Sequence, residues 1–263
     1  MKITDDLGRT FSFKKPPRRI ISLCPSVSET LLDLGLEGFL AGRTDYCIHP
    51  QNKIESIPGV GGPKSVSIQL LQSLCPDIII AVKEENDKKT LENLAALNYK
   101  CFIFDVNNFS DALNMIEKIG VIFNVEDRAQ TMTEGIKKGF EGIGQVLKKL
   151  NFIYMTWSSP YIAAGTGNYI NSLITGLGFN NCLSKHINRY VRLSLGELKK
   201  LSPDIVFLPS EPYNYTLYDK LKFEKIFPSA RAVLVDGEMF CWYGSRMLKA
   251  APYIKNLIKE IMQ

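Results

Sequence analysis

The sequence predicts an α/β protein of two lobes, each built on a central, mainly parallel sheet flanked by helices, joined by one long backbone helix. Three observations carry that expectation. Short apolar runs rich in Ile, Val and Phe alternate with helix-like segments, the pattern of βαβ units. The phrase Leu74-Cys75-Pro76-Asp77-Ile78-Ile79-Ile80 is echoed by Leu201-Ser202-Pro203-Asp204-Ile205-Val206-Phe207, and in both a helix stops before proline as a buried strand begins. Between the halves, Met132, Ile136, Phe140, Ile143 and Val146/Leu147 recur every three to four residues, which marks one helical face.

In the first lobe (residues 1–124), strands are expected at 19–23, 39–42, 77–82 and 100–104. Helices are expected at 26–34, opened by Ser28-Glu29 and closed by Gly35, and at 67–74 and 89–97. The bridge, 125–150, is read as a single helix of roughly 39 Å. Gly139, Gly142 and Gly144 weaken its middle by about 1 kcal/mol each relative to alanine. In the second lobe (151–263), strands are expected at 151–157, 161–165, 204–208 and 232–235, with helices at 169–177, 195–201 and 245–262.

Composition narrows the function classes. The chain has 263 residues, 45% hydrophobic and 22% charged, which suits a soluble globular protein of two domains. Its net charge of +5 is spread along the chain, whereas nucleic-acid binding needs a continuous basic stripe; no nucleic-acid partner is expected. No apolar stretch reaches the roughly 20 residues of a membrane span. Six scattered cysteines without a CxxC pair favour a reducing compartment. Met1 to Gly8 shows no signal-peptide pattern. The expected location is cytoplasmic if that is the native start, and periplasmic or cell-surface if a signal peptide precedes it.

Ligands of open α/β sheets bind beyond the carboxyl ends of the strands, so the segments that follow the predicted strands are the candidate site. Tyr46 follows the second strand, Lys83, Glu84 and Asn86 the third, and Trp157 and Tyr161 flank the turn after the first strand of the second lobe. Arg189 and Tyr190, Glu211 and Tyr213, and Trp242, Tyr243 and Arg246 complete the set. Aromatic walls supply contact area at low entropy cost, and the charged groups orient a polar ligand. No metal site is expected; the alternative is the D-x-C-x-H triplet Asp45, Cys47, His49, whose donors converge only on an extended loop. No catalytic residue is expected either: there is no G-x-S-x-G elbow, and Gly59-Val60-Gly61-Gly62-Pro63-Lys64 has proline where a phosphate loop needs a backbone donor.

These same residues carry a family likeness. Ile3-Thr4-Asp5-Asp6-Leu7-Gly8-Arg9, Pro17-Arg18-Arg19-Ile20-Ile21-Ser22-Leu23, Pro25-Ser26-Val27-Ser28-Glu29-Thr30, Gly61-Gly62 and Leu74-Cys75-Pro76-Asp77 resemble the substrate-binding proteins of ABC importers for vitamin B12, haem and iron siderophores, the helical-backbone metal receptors. The runs Thr44-Asp45-Tyr46-Cys47, Lys83-Glu84-Glu85-Asn86, Ser210-Glu211-Pro212-Tyr213 and Trp242-Tyr243-Gly244-Ser245-Arg246 resemble the cobalamin-binding-like branch. The resemblance implies a cleft between the lobes that takes cobalamin, haem or a ferric chelate as ligand, with no intrinsic cofactor. Tyr46, Tyr190 and Trp242 fall near the family's ligand-facing aromatics. A monomer is expected, working with an ABC permease. Where the family presents permease-docking glutamates, this chain has Gln69 and Gly196, with Glu197 next door. The alternative is a cytosolic cofactor- or metal-handling protein, or an enzyme, on the same scaffold, with Lys83, Glu84, Glu211 and Glu238 as acid/base groups and no permease.

Overall fold

The computed structural model describes residues 1–141, 143 and 149–263. It divides into two compact units: Met1–Val106, Ser110–Lys138 and Tyr243–Leu248 form the first, and Asn107–Phe109, Gly139–Trp242 and Lys249–Gln263 the second.

The first unit opens with an antiparallel hairpin, β1 (Lys2–Thr4) and β2 (Thr10–Ser12). There follow β3 (Ile20–Ser22), β4 (Leu40–Arg43), the short pair β5 (Gly61–Gly62) and β6 (Ser65–Val66), β7 (Ile78–Val82) and β8 (Cys101–Phe104). The central sheet runs β4-β3-β7-β8 and is parallel throughout. Covered on both faces, β7 is buried at all five positions, which explains its unbroken aliphatic run. The helices are α1 (Pro25–Asp33), α2 (Gln51–Ile54), α3 (Ile68–Leu74), α4 (Lys88–Ala96), α5 (Phe109–Phe123) and α6 (Glu126–Glu141), of which Phe109 and residues 139–141 count with the second unit. Asp87 caps α4 by accepting from the Thr90 amide at 3.0 Å, and Asn124, at φ 58°, separates α5 from α6.

The second unit holds β9 (Asn151–Ser158), β10 (Tyr161–Ala164), β11 (Asn180–Asn181), β12 (Tyr190–Leu193), β13 (Ile205–Pro209) and β14 (Arg231–Val235). Its helices are α7 (Tyr169–Gly176), α8 (Leu195–Leu198), α9 (Leu217–Ile226), α10 (Glu238–Cys241) and α11 (Met247–Met262), whose first two residues count with the first unit. The sheet order is β12-β10-β9-β13-β14, with β11 also on β9. Ile153, Met155, Val206, Leu208 and Phe223 form part of one core. Phe152, Phe207, Tyr154 and Phe240 pack in tilted ring contacts with centroids 5.7–6.4 Å apart.

Several expectations are corrected by the structure. The second sheet keeps the expected parallel pairing for β9 with β13, β13 with β14 and β11 with β9, while Ser159-Pro160 is too short to join parallel strands and returns β10 antiparallel on β9. The helix expected over 125–150 is present as Glu126–Glu141; residues 142 and 144–148 lie outside the described residues, and Lys149 and Leu150 are not helical. The helix expected over 195–201 stops at Leu198, and the amides of Lys200 and Leu201 donate instead to the carbonyls three residues back, Glu197 and Leu198, in a tightened last turn. The helix expected from 245 starts as a 3-10 turn, Gly244–Arg246, before α11. No helix among the described residues is long and apolar enough to cross a membrane.

Candidate functional site

In the first unit the carboxyl ends of β4 and β7 present a tyrosine, a lysine and two glutamates. Tyr46 is 65% exposed. Its ring lies over Gly62, where an added Cβ would stand 3.4 Å from the Tyr46 Cε2. The bare glycine pair therefore seats the ring and leaves its other face to solvent. Lys83 is exposed and ion-paired with Asp105, at the mouth of a cavity of about 410 Å³ lined also by Arg9, Leu91 and Ile103. Glu84 and Glu85 are half-buried beside it.

Three other first-unit candidates face inward. Asn86 is buried: its Nδ2 donates to the carbonyls of Leu23 (2.9 Å) and Pro63 (3.0 Å), and its Oδ1 accepts from the Val82 amide (2.8 Å). Arg246 is buried too, and its Nε donates to Glu29 Oε2 at 2.8 Å. Tyr243 is buried, and desolvation, followed by the charges of Cys24, Glu85 and Glu84, pushes its phenol well above the ordinary range. The turn that carries these last two needs Gly244, whose φ is +85° and where a Cβ would stand 2.1 Å from Thr30 Oγ1. That hydroxyl accepts from the Ser245 amide at 3.0 Å.

The D-x-C-x-H triplet does not converge. The Cys47 thiol is buried between Ser28 Oγ (3.0 Å) and Thr44 Oγ1 (3.3 Å), and burial raises its pKa. Asp45 turns its carboxylate toward Gly59. Among the described residues no three His, Cys, Asp or Glu side chains are grouped to hold a metal.

In the second unit Trp157, 41% exposed, is the penultimate residue of β9. Its indole Nε1 donates to the Ser159 carbonyl at 3.1 Å, and Tyr213 backs it edge-on at 5.6 Å. Tyr213 in turn packs on Tyr215 at 4.6 Å, so the exposed ring rests on a rigid aromatic stack. Tyr190 is exposed at the start of β12. Arg189 is half-buried and donates to Asn107 Oδ1. Tyr161 points elsewhere, packing on Phe223 at 6.0 Å with Lys222 Nζ 4.9 Å from its ring centroid.

Trp242, expected as a wall, is buried, and its Nε1 donates to Glu211 Oε1 at 2.7 Å. Burial first, then repulsion from Glu238 and Asp236, raises the Glu211 pKa against the opposing Trp242 hydrogen bond. A carboxyl raised in the folded state stabilises it fully below the ordinary carboxylate range, and that stability is lost as pH rises through the folded value. Glu211→Gln keeps the acceptor for Trp242 and removes the charge. The variant should therefore melt above the parent chain at neutral pH and match it in mild acid; equal melting temperatures across that range would contradict the assignment.

Asp105 and Asn107, which hold Lys83 and Arg189, were not among the expected residues. Both directly follow β8, so the rule that found the other loops covers them as well.

A family model described as periplasmic binding protein matches residues 20–233. Among curated proteins the chain is similar to an uncharacterized ABC transporter substrate-binding lipoprotein of Bacillus subtilis (strain 168), 23% identical over an alignment 217 residues long that covers 78% of this chain and 67% of that protein. Among solved structures it shares its fold with the periplasmic vitamin B12-binding protein of Vibrio cholerae, at TM-score 0.77 and 18% identity over 94% of this chain and 99% of that one. The apo periplasmic heme-binding protein of Roseiflexus sp. RS-1 matches at TM-score 0.79 and 15% identity, over 94% and 99%.

Proposed function

The chain belongs to the periplasmic binding protein family, and on that premise we propose that it is the solute-binding component of an ABC uptake system for a corrinoid, tetrapyrrole or chelated metal. It binds and releases the ligand without chemical turnover. Its place of work is the outer face of the cytoplasmic membrane, where it hands the ligand to a permease. The observation that carries the ligand class is a pair of exposed, rigidly seated aromatic rings at strand carboxyl ends, Tyr46 over Gly62 and Trp157 over Tyr213. Broad apolar rings held in water by their own scaffold are suited to stacking on a flat macrocycle or aromatic chelate. Lys83, Glu84, Arg189 and Tyr190 provide the polar contacts in this reading. Tyr161 belongs to a separate groove, and Asn86, Trp242, Tyr243 and Arg246 brace the scaffold.

A panel of cobalamin, cobinamide, haemin and ferric siderophores, followed by absorbance and thermal shift, tests the reading. One member at tenfold excess over its Kd should stabilise the chain by about 1.4 kcal/mol. Tyr46→Ala and Trp157→Ala should each weaken that ligand roughly tenfold or more, as expected for anchoring aromatics, with little change in the unliganded melt. The proposal fails if no panel member shifts the melt and neither substitution changes retention of whatever ligand co-purifies from extract.

A further inference from the structure

We propose that α9 is a membrane-contact element, which lays its outer face on an anionic lipid bilayer. Most exposed helices turn polar residues to water. On α9, Leu217, Tyr218 and Leu221 are 70%, 77% and 58% exposed. Leu217 and Leu221 lie one turn apart and Tyr218 beside them, which makes a continuous apolar stripe opposite the buried Asp219 and Phe223. Lys220, Lys222 and Lys225 flank the stripe.

The helix has two carboxylates, and both are engaged. Asp219 turns inward to close the capping box with Thr216, accepting from its amide and its hydroxyl at 2.9 Å each. Glu224 sits 3.9 Å from Lys220. Lys222 also lines an adjoining groove of about 590 Å³ with Arg192, and the carboxylate there, Glu197, accepts from Ser194. One edge of the stripe is therefore the Lys220–Glu224 pair, and the other, with Lys222 and Lys225, is basic.

Leucines and a tyrosine edged by lysines are the composition of an interfacial helix, whose apolar side enters the headgroup boundary while its cations meet lipid phosphates. Exposures this high mean side chains that stand proud of the surface, a shape suited to a soft bilayer. A second copy of this chain fits less well: an isologous contact joins two faces that each carry more lysines than carboxylates.

Flotation of the full chain with vesicles of phosphatidylglycerol and phosphatidylcholine, and with phosphatidylcholine alone, tests the assignment. Binding to the anionic vesicles is expected, weakened by salt, with little on the neutral ones. Leu217→Ser/Tyr218→Ser/Leu221→Ser should lower partitioning by about tenfold or more, while circular dichroism shows the fold kept. Lys220→Glu/Lys225→Glu, which leaves the apolar stripe whole, should abolish the preference for anionic lipid and provides the test if the triple variant does not fold. Absent flotation, or flotation unchanged in both variants, overturns the proposal. It is equally overturned if the stripe supports only dimerisation seen by light scattering, or only binding to an acidic polypeptide.

Discussion

Replacing Arg246 with alanine should destabilise the first unit by about 3–5 kcal/mol, the usual cost of leaving one partner of a buried ion pair uncompensated. The Arg246 and Glu29 side chains are 5% and 1% exposed, so water cannot take over the lost contact. Glu29 sits in α1 beside Thr30, which receives the Ser245 amide, so the carboxylate that loses this arginine lies where residues 243–248 join the first unit. Glu29→Leu/Arg246→Met should restore most of the loss, because a well-packed apolar pair avoids the desolvation that the ion pair incurs. Urea denaturation followed by circular dichroism reads both variants. An arginine that anchors ligand behaves differently: its removal lowers affinity and leaves the unfolding midpoint in place, and that outcome would refute the bracing role.

Asn86→Ala should cost about 2–4 kcal/mol. One side chain holds three backbone groups, the Leu23 carbonyl at the end of β3, the Val82 amide at the end of β7, and the Pro63 carbonyl in the β5–β6 turn. Truncation leaves these groups short of a partner, at roughly 1–3 kcal/mol for each one that stays buried and unsatisfied. Because Gly62 directly precedes that turn, the seat of Tyr46 should loosen with it. Hydrogen exchange should show the Val82 amide losing protection before the rest of β7. Ordinary protection at Val82 together with a small change in midpoint would contradict the role assigned to Asn86.

Much of the fold was legible because its signals are local. Each expected strand is present within a residue or two, since strands such as β7, buried on both faces, must be written as aliphatic runs. Helix α5 was equally legible and went unread: Ala112, Leu113, Met115, Ile116, Ile119, Ile122 and Phe123 are buried along one face. The two-residue β5 and β11 were not legible, because strands so short carry no period.

The candidate site divides along the same line. That the candidate side chains follow the strands is a property of chain order, and the sequence alone places Tyr46, Lys83 and Trp157 there; all three are exposed. What became of Asn86, Trp242 and Arg246 was decided by partners remote in the chain. Arg246 meets Glu29 across 217 positions, Asn86 meets Leu23 across 63, and Trp242 meets Glu211 across 31. An aromatic or charged residue after a strand can line a wall or brace a core, and the difference lies in whether a complementary group is delivered to it. The sequence thus determined the two α/β sheets, the family, and the segments at the strand ends. Only the tertiary structure decided which of those side chains remain in water to meet a ligand, because burial is a property of distant neighbours, not of the residue itself.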